Sequence, residues 1–315
     1  MSGLSAQNIL VWLDRKGKEE PIAANANDNF EPSISPDGTK VALSIGALPV
    51  SDIWIWDLIR ETATRLTFNE NSHSPLWTLD GQRIAFTSYG DDGPGIYWKA
   101  ADGTGNDELL RSMPGQTSIP FSWSSDGKTL AVLEFSEASD LDIASLSMEG
   151  DHARTPILQE EYREYQPQIS PDGKWMAYAS DESGEAEIYM RPFPDVDKGR
   201  WQVSTSGGCA PLWSPDGREL FYIKHDGTVE AAMAVTVVTE PTFKAGKPKI
   251  LFQRPAMFGG ILLNLRFWDI SPDGKRFLMM KQPEAAKDES SPEIPRKITI
   301  VLNWFEELKE RIPVY

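Results

Sequence analysis

Three histidines, one cysteine and a scatter of carboxylates are the side chains with which this chain could do chemistry. Their spacing decides what chemistry is open to them. His73, His152 and His225 stand far apart, without the spacing by which one element presents two imidazoles to one metal. His-Glu-x-x-His does not occur, nor does the Gly-x-Ser-x-Gly turn that raises a nucleophilic serine above a sheet. A Ser-His-Asp set could still assemble in space, because triad members need not be neighbours in sequence. Gly90-Asp91-Asp92-Gly93-Pro94-Gly95 and the pair Asp140 and Asp142 offer carboxylates, but not in the alternating ligand order of a calcium loop, so they read as acidic turns. Cys209 is the only cysteine, which excludes an internal disulfide framework and a thiolate metal site. It reads as a small buried filler. No cofactor is implied.

The 315 residues carry 31 basic and 47 acidic side chains, a formal charge of -16. A nucleic-acid backbone or an anionic membrane surface would be repelled over most of such a molecule. No apolar run reaches membrane-spanning length, and Met1 to Asn8 lack the basic and apolar regions of a signal peptide. A complete chain of this kind is expected in the cytoplasm. A domain excised from a longer one is expected outside it, in the periplasm or beyond.

The elements that must position any site are written in a repeat. Ser35-Pro36-Asp37-Gly38 recurs as Thr78-Leu79-Asp80-Gly81, Ser124-Ser125-Asp126-Gly127, Ser170-Pro171-Asp172-Gly173, Ser214-Pro215-Asp216-Gly217 and Ser271-Pro272-Asp273-Gly274, with spacings of 43, 46, 46, 44 and 57 residues. Each motif joins a short apolar stretch such as Pro211-Leu212-Trp213 to an alternating one such as Trp175-Met176-Ala177-Tyr178. Proline presets φ, aspartate bonds nearby backbone and glycine accepts positive φ, so the motif is a hairpin turn. A set of residues that recurs in every repeat is unsuited to form one unique site.

A third strand follows each hairpin, as in Asp52-Ile53-Trp54-Ile55-Trp56-Asp57 or Glu187-Ile188-Tyr189-Met190, and then a more polar fourth, as in Ala63 to Thr67 or Trp201 to Ser204. Four short strands in each repeat predict an all-β, six-bladed β-propeller of four-stranded antiparallel blades. Ile9 to Asp14 and Glu20 to Ile22 precede the first complete repeat, and read as the third and fourth strands of the blade begun by Phe267 to Ile270 and Arg276 to Met280. Pairing of N- and C-terminal strands would then close the ring. Ile298 to Leu302 is a second candidate for the third strand of that blade. Residues 1–315 are expected to form a single propeller domain, with a short C-terminal helix around 304–311. The long spacing before Asp273 holds Val237 to Gly246 and an apolar stretch, Met257 to Leu263, which is expected to cover part of one face.

The repeated Pro-x-Trp-Ser-Pro-Asp-Gly-Lys-x-Ile-Ala-Phe pattern resembles the TolB-type, WD40-like propeller repeat known as PD40, over essentially residues 8 to 303. The ends, Leu10-Val11-Trp12-Leu13-Asp14-Arg15-Lys16-Gly17 and Leu302-Asn303-Trp304-Phe305-Glu306-Glu307-Leu308, are similar to those of propeller regions attached to bacterial serine/threonine protein kinases. The resemblance implies a sensory or interaction domain of a larger multidomain chain. No Gly-rich loop with its lysine, His-Arg-Asp or Asp-Phe-Gly of a kinase is present.

In a propeller the residues just before each innermost strand meet around the central channel. Seven positions before each hairpin Asp stand Phe30, His73, Ile119, Tyr165, Cys209 and Arg266, and six before stand Glu31, Ser74, Pro120, Gln166, Ala210 and Phe267. These differ from blade to blade, as one asymmetric pocket in a symmetric ring requires. Glu31, His73, Tyr165, Gln166, Arg266 and Phe267 are therefore the candidate ligand-binding residues. Arg266 would suit a carboxylate, Glu31 an amine or hydroxyl, and Tyr165 or Phe267 an apolar shelf. Plain channel lining, with Arg266 paired to Glu31, is the competing expectation. The function that follows is a non-catalytic module binding a protein, peptide or small polar ligand at the channel mouth. A hydrolase or lyase with His73 as general base, and a structural spacer, are the alternatives.

Overall fold

A computed structural model of the chain describes residues 8–22, 29–46, 50–90, 93–135, 140–256 and 265–282. They belong to one compact unit, Met1–Pro283, and form six sheets. Blade one is Asn29–Ile34, Lys40–Ile45, Asp52–Asp57 and Thr62–Arg65. Blade two is Ser72–Trp77, Arg83–Gly90, Gly93–Ala100 and Glu108–Ser112, and blade three is Thr117–Trp123, Thr129–Phe135, Asp142–Ser147 and Arg154–Leu158. Blade four is Glu164–Ile169, Trp175–Ser180, Glu187–Pro192 and Trp201–Gln202. Blade five opens with Cys209–Trp213, Glu219–His225 and Val229–Val238.

Blade six begins with Trp268–Ile270 and Arg276–Lys281 and ends with Ile9–Asp14 and Glu19–Pro21. Ile9–Asp14 pairs with Arg276–Lys281 in unbroken register, from Ile9 opposite Lys281 to Asp14 opposite Arg276. The ring closes as the sequence implies. The rival strand at Ile298 to Leu302 and the helix around 304–311 lie outside the described residues.

Blade five departs from the pattern. Its third strand is ten residues long, and both Lys244–Ala245 and Lys249–Pro255 pair with it. The extra length before Asp273 goes partly into this sheet and partly into Phe243, a buried ring 5.3 Å from Trp175 and 5.8 Å from Trp201 of blade four. The expected apolar cover, Met257 to Leu263, lies outside the described residues.

The hairpin motif builds one turn six times. In the first, Ser35 Oγ donates to Asp37 Oδ1 at 2.6 Å, Asp37 Oδ1 accepts from the Thr39 amide, and Ser35 Oγ accepts from the Lys40 amide. The proline has a second use. A Cβ on Gly81 would touch Pro36 of the blade before, as would Gly217 with Pro171, Gly274 with Pro215, and Gly38 with Pro272 across the closure. The turns thus pack on one another around one end of the ring, here the turn end. The loops between second and third strands, and between blades, lie at the opposite, loop end.

A second ring joins the blades deeper in. Three positions before the hairpin Asp, Trp77 donates its indole N–H to Ser33 O, Trp123 to Trp77 O and Trp213 to Gln168 O, at 2.8–3.0 Å. Blades one, four and six carry isoleucine there. In blade six Trp268, five before the hairpin Asp, donates to Ala210 O of blade five at 2.9 Å. For blades one and four the preceding blade provides a side-chain acceptor instead. Asp269 accepts from the Ile34 amide at 2.7 Å, and Ser122 Oγ from the Ile169 amide at 3.0 Å.

Candidate functional site

The innermost strands bend just where the candidate residues sit. Register shifts fall at Phe30/Ser33, His73/Leu76, Tyr165/Gln168 and Cys209/Leu212. Within them Glu31, Ser74, Gln166 and Ala210 hold φ of 56°, 57°, 55° and 50°. Left-handed backbone is unfavourable for residues with a Cβ, so these bulges need support. Two get it from the blade before. Glu31 Oε2 accepts from the Ser74 amide at 2.8 Å, and Gln166 Oε1 from the Ala210 amide at 2.7 Å. Glu31 and Gln166 therefore do equivalent work in different blades: each takes the amide that the next bulge frees.

Arg266 crosses the channel. From blade six its guanidinium donates to Pro75 O of blade two at 2.8 Å, and to Pro120 O and Phe121 O of blade three at 3.2 and 3.0 Å. Blade three lies opposite blade six in a ring of six, so the side chain spans the bore. Burial lowers its pKa, opposed by the nearby carboxylates of Asp269 and Glu31. No direct Arg266–Glu31 pair forms; carbonyl oxygens take the place expected for the carboxylate. Tyr165 and Phe267 are buried beneath the mouth, and burial pushes the Tyr165 phenol up. Cys209 is buried with its thiol pushed up to about 12, so it remains protonated and unreactive at neutral pH.

His73 alone of the six candidates is partly exposed. Its Nδ1 lies 2.9 Å from Ser74 Oγ, which donates to Glu31 Oε1 at 2.5 Å. Ser44 Oγ donates to Glu31 Oε2 at 3.1 Å. Histidine, serine and carboxylate thus do meet, but in the wrong order for nucleophilic catalysis. The serine hydrogen points to the carboxylate and not to the imidazole that would have to remove it. Burial lowers the pKa of His73, with Glu31 opposing.

Two features of the surface were not legible from spacing. The exposed aromatic rings among the described residues, Phe68, Tyr89 and Tyr162, all stand at the loop end, as does the exposed Val50. Arg65 lies over Phe68 at 5.0 Å, and Tyr89 sits 6.5 Å from His73 with its hydroxyl 3.0 Å from Thr117 Oγ1. Exposed apolar residues at the turn end, Ile59, Leu79 and Val238, are aliphatic. A cleft of about 520 Å³ also opens at the turn end between blades four and five, lined by Asp172, Asp216, Arg218, Thr236 and Glu240 among others. Among the described residues, no three His, Cys, Asp or Glu side chains converge on a metal-sized site, and no helix is long and apolar enough to cross a membrane.

The chain is 25% identical over 206 residues to the Tol-Pal system protein TolB of Francisella tularensis subsp. tularensis (strain WY96-3418), a match covering 63% of this chain and 47% of that one. It thus spans about half the length of the curated TolB relatives it matches. An uncharacterized protein of Agrobacterium fabrum, Atu1656, is 24% identical over 241 residues, covering 70% of this chain and 80% of that one. The solved structure of a TolB-like protein from Agrobacterium tumefaciens superposes with a TM-score of 0.71 at 20% identity, covering 89% of this chain and 99% of that one. An oligogalacturonate lyase in complex with manganese superposes with a TM-score of 0.56 at 15% identity, over 86% of this chain and 85% of that one, a likeness of fold alone. The model of the TolB beta propeller domain, PD40, matches residues 5–155 and 69–246, and the chain belongs to that family.

Proposed function

We propose that this protein is a non-catalytic recognition module that binds a protein or peptide partner across its loop end. The observation that carries this reading is the confinement of the exposed aromatic rings among the described residues to that end, around a mouth whose bore Arg266 spans. Aromatic side chains are the residues most enriched in protein interfaces, because they bury large areas at small entropic cost. With Arg266 across the bore, a partner sits on the mouth and does not thread it. His73 stands in the floor of that mouth, with Glu31, Tyr165, Gln166, Arg266 and Phe267 as the layer beneath.

The Francisella relatives are named for the Tol-Pal system, and membership in a multi-protein assembly is the partner class carried over from them. An extracytoplasmic place is proposed on the same likeness. Face-resolved photo-crosslinking tests the reading. A photoreactive residue at Phe68, Tyr89 or Tyr162 is expected to capture a discrete partner in cells, and one at Ile59 or Leu79 is not. Capture from the turn end alone would refute it.

A further inference from the structure

We infer that His73 receives a cationic amine of the partner, taking its hydrogen bond at Nε2; this rests on the loop-end reading above. Ser74 Oγ has a single hydrogen, and both oxygens of Glu31 accept in this cluster, from the Ser74 amide, the Ser44 hydroxyl and Ser74 Oγ itself. At 2.5 Å from Glu31 Oε1, the serine is the donor. Its oxygen is left to accept, so Nδ1 of His73, 2.9 Å away, must carry the N–H. A neutral imidazole with its proton on Nδ1 presents a bare lone pair at Nε2.

The serine cannot readily turn away from this arrangement. Its own amide donates to Glu31 Oε2 at 2.8 Å, Ser44 Oγ donates to the same oxygen, and both Glu31 and Ser74 are buried in the paired left-handed bulges. Nε2 makes no hydrogen bond among the described residues, and the ring stays partly exposed beside Tyr89. The site therefore offers an acceptor with a fixed tautomer.

The chemistry of the occupant follows. A carboxylate has no hydrogen for Nε2, and the cation that could have received one, Arg266, is already held by three carbonyl oxygens. A metal ion would need further ligands, and no group of three His, Cys, Asp or Glu side chains forms there among the described residues. A hydrogen-bond donor fits, and on a chain of formal charge -16 the favoured donor is cationic. A peptide N-terminus and a lysine side chain share this chemistry.

Selective ¹⁵N labelling of the imidazoles in the whole chain tests it, since only three histidines contribute signals. At about pH 7.5, where an ordinary imidazole is neutral, His73 is expected to show a protonated Nδ1 and an unprotonated Nε2. Ser74→Ala should return it to a mixed tautomer. Glycinamide or Nα-acetyllysinamide should displace the Nε2 signal saturably, while acetate leaves it in place. Response to glycinamide alone points to a terminus, and to acetyllysinamide alone to lysine. A protonated Nε2 in the wild type, an equal response to acetate, or no response to either amine would overturn the inference. Should Ser74→Ala fail to fold, the wild-type tautomer and the titrations decide. Such a failure, with crosslinks still formed from Phe68, Tyr89 or Tyr162, leaves the loop-end reading standing. Crosslinks from the turn end alone overturn that reading whatever His73 does.

Discussion

Arg266 is fixed by three backbone oxygens from two blades on the far side of the ring, and each would lose its donor if the side chain were cut back. Burying an acceptor without a partner costs about 1–3 kcal/mol, partly relieved where water enters the bore. Arg266→Ala is therefore expected to lower unfolding stability by about 3 kcal/mol in urea titration with little change in slope. Arg266→Lys should rescue only part of this, because an ammonium cannot fork across three carbonyls. The position of Arg266 was legible by counting back from Asp273, as were those of Glu31, His73 and Gln166. Their partners were not. Whether Glu31 meets Arg266 or the Ser74 amide depends on how far one blade's bulge reaches towards the next, and hairpin spacing carries no record of that.

Between elements, five of the six junctions use two solutions to one problem. Where tryptophan stands three before the hairpin Asp, its indole reaches back to a carbonyl. Where isoleucine stands there in blades one and four, Asp269 or Ser122 reaches forward to the amide. Trp213→Phe removes one neutral hydrogen bond and is expected to cost about 1 kcal/mol. Asp269→Ala takes the acceptor from two backbone amides, those of Ile34 and Ile270, and is expected to cost more, about 2 kcal/mol, with Asp269→Asn between wild type and Ala. Chemical denaturation of the three variants checks the order. The closing strand is a sharper case. Removal of residues 1–14 uncovers the edge of Arg276–Lys281 and the surfaces that Leu10, Val11, Trp12 and Leu13 bury. The truncated chain is expected to elute as oligomers or aggregate on size-exclusion chromatography. The strands themselves were readable because alternation and turn chemistry are local. The fifth blade's extra pairing was not, since Lys244–Ala245 is too short and polar to announce itself as a strand.

At the scale of the whole molecule, two sets of carboxylates oppose each other in their response to pH. Asp37, Asp80, Asp126, Asp216 and Asp273 lie below their ordinary 3.8, chiefly through the hydroxyl of the Ser or Thr two residues earlier. What they add to stability is fully present above 3.8 and is lost as pH falls through their folded values. Glu164, at the loop end, runs the other way. Burial raises it from 4.5 to about 7, with Glu160 and Asp142 adding repulsion and Arg191 opposing. Its folded form favours the proton, so stability declines as pH rises from 4.5 to about 7. Glu164→Gln is expected to raise the melting temperature at about pH 8 and to change it little near pH 4, as differential scanning fluorimetry would show.

The proposed function gives the two ends of the propeller different roles on the strength of the exposed rings at Phe68, Tyr89 and Tyr162, and the most direct test is hydrogen–deuterium exchange of the chain with its crosslink-identified partner. Binding is expected to protect the loops around 67–74, 87–90 and 159–165 and to leave the six Asp-Gly hairpins unchanged. Protection concentrated on the hairpins or on the cleft around Asp216 and Glu240, with the loop end unaltered, would contradict the account.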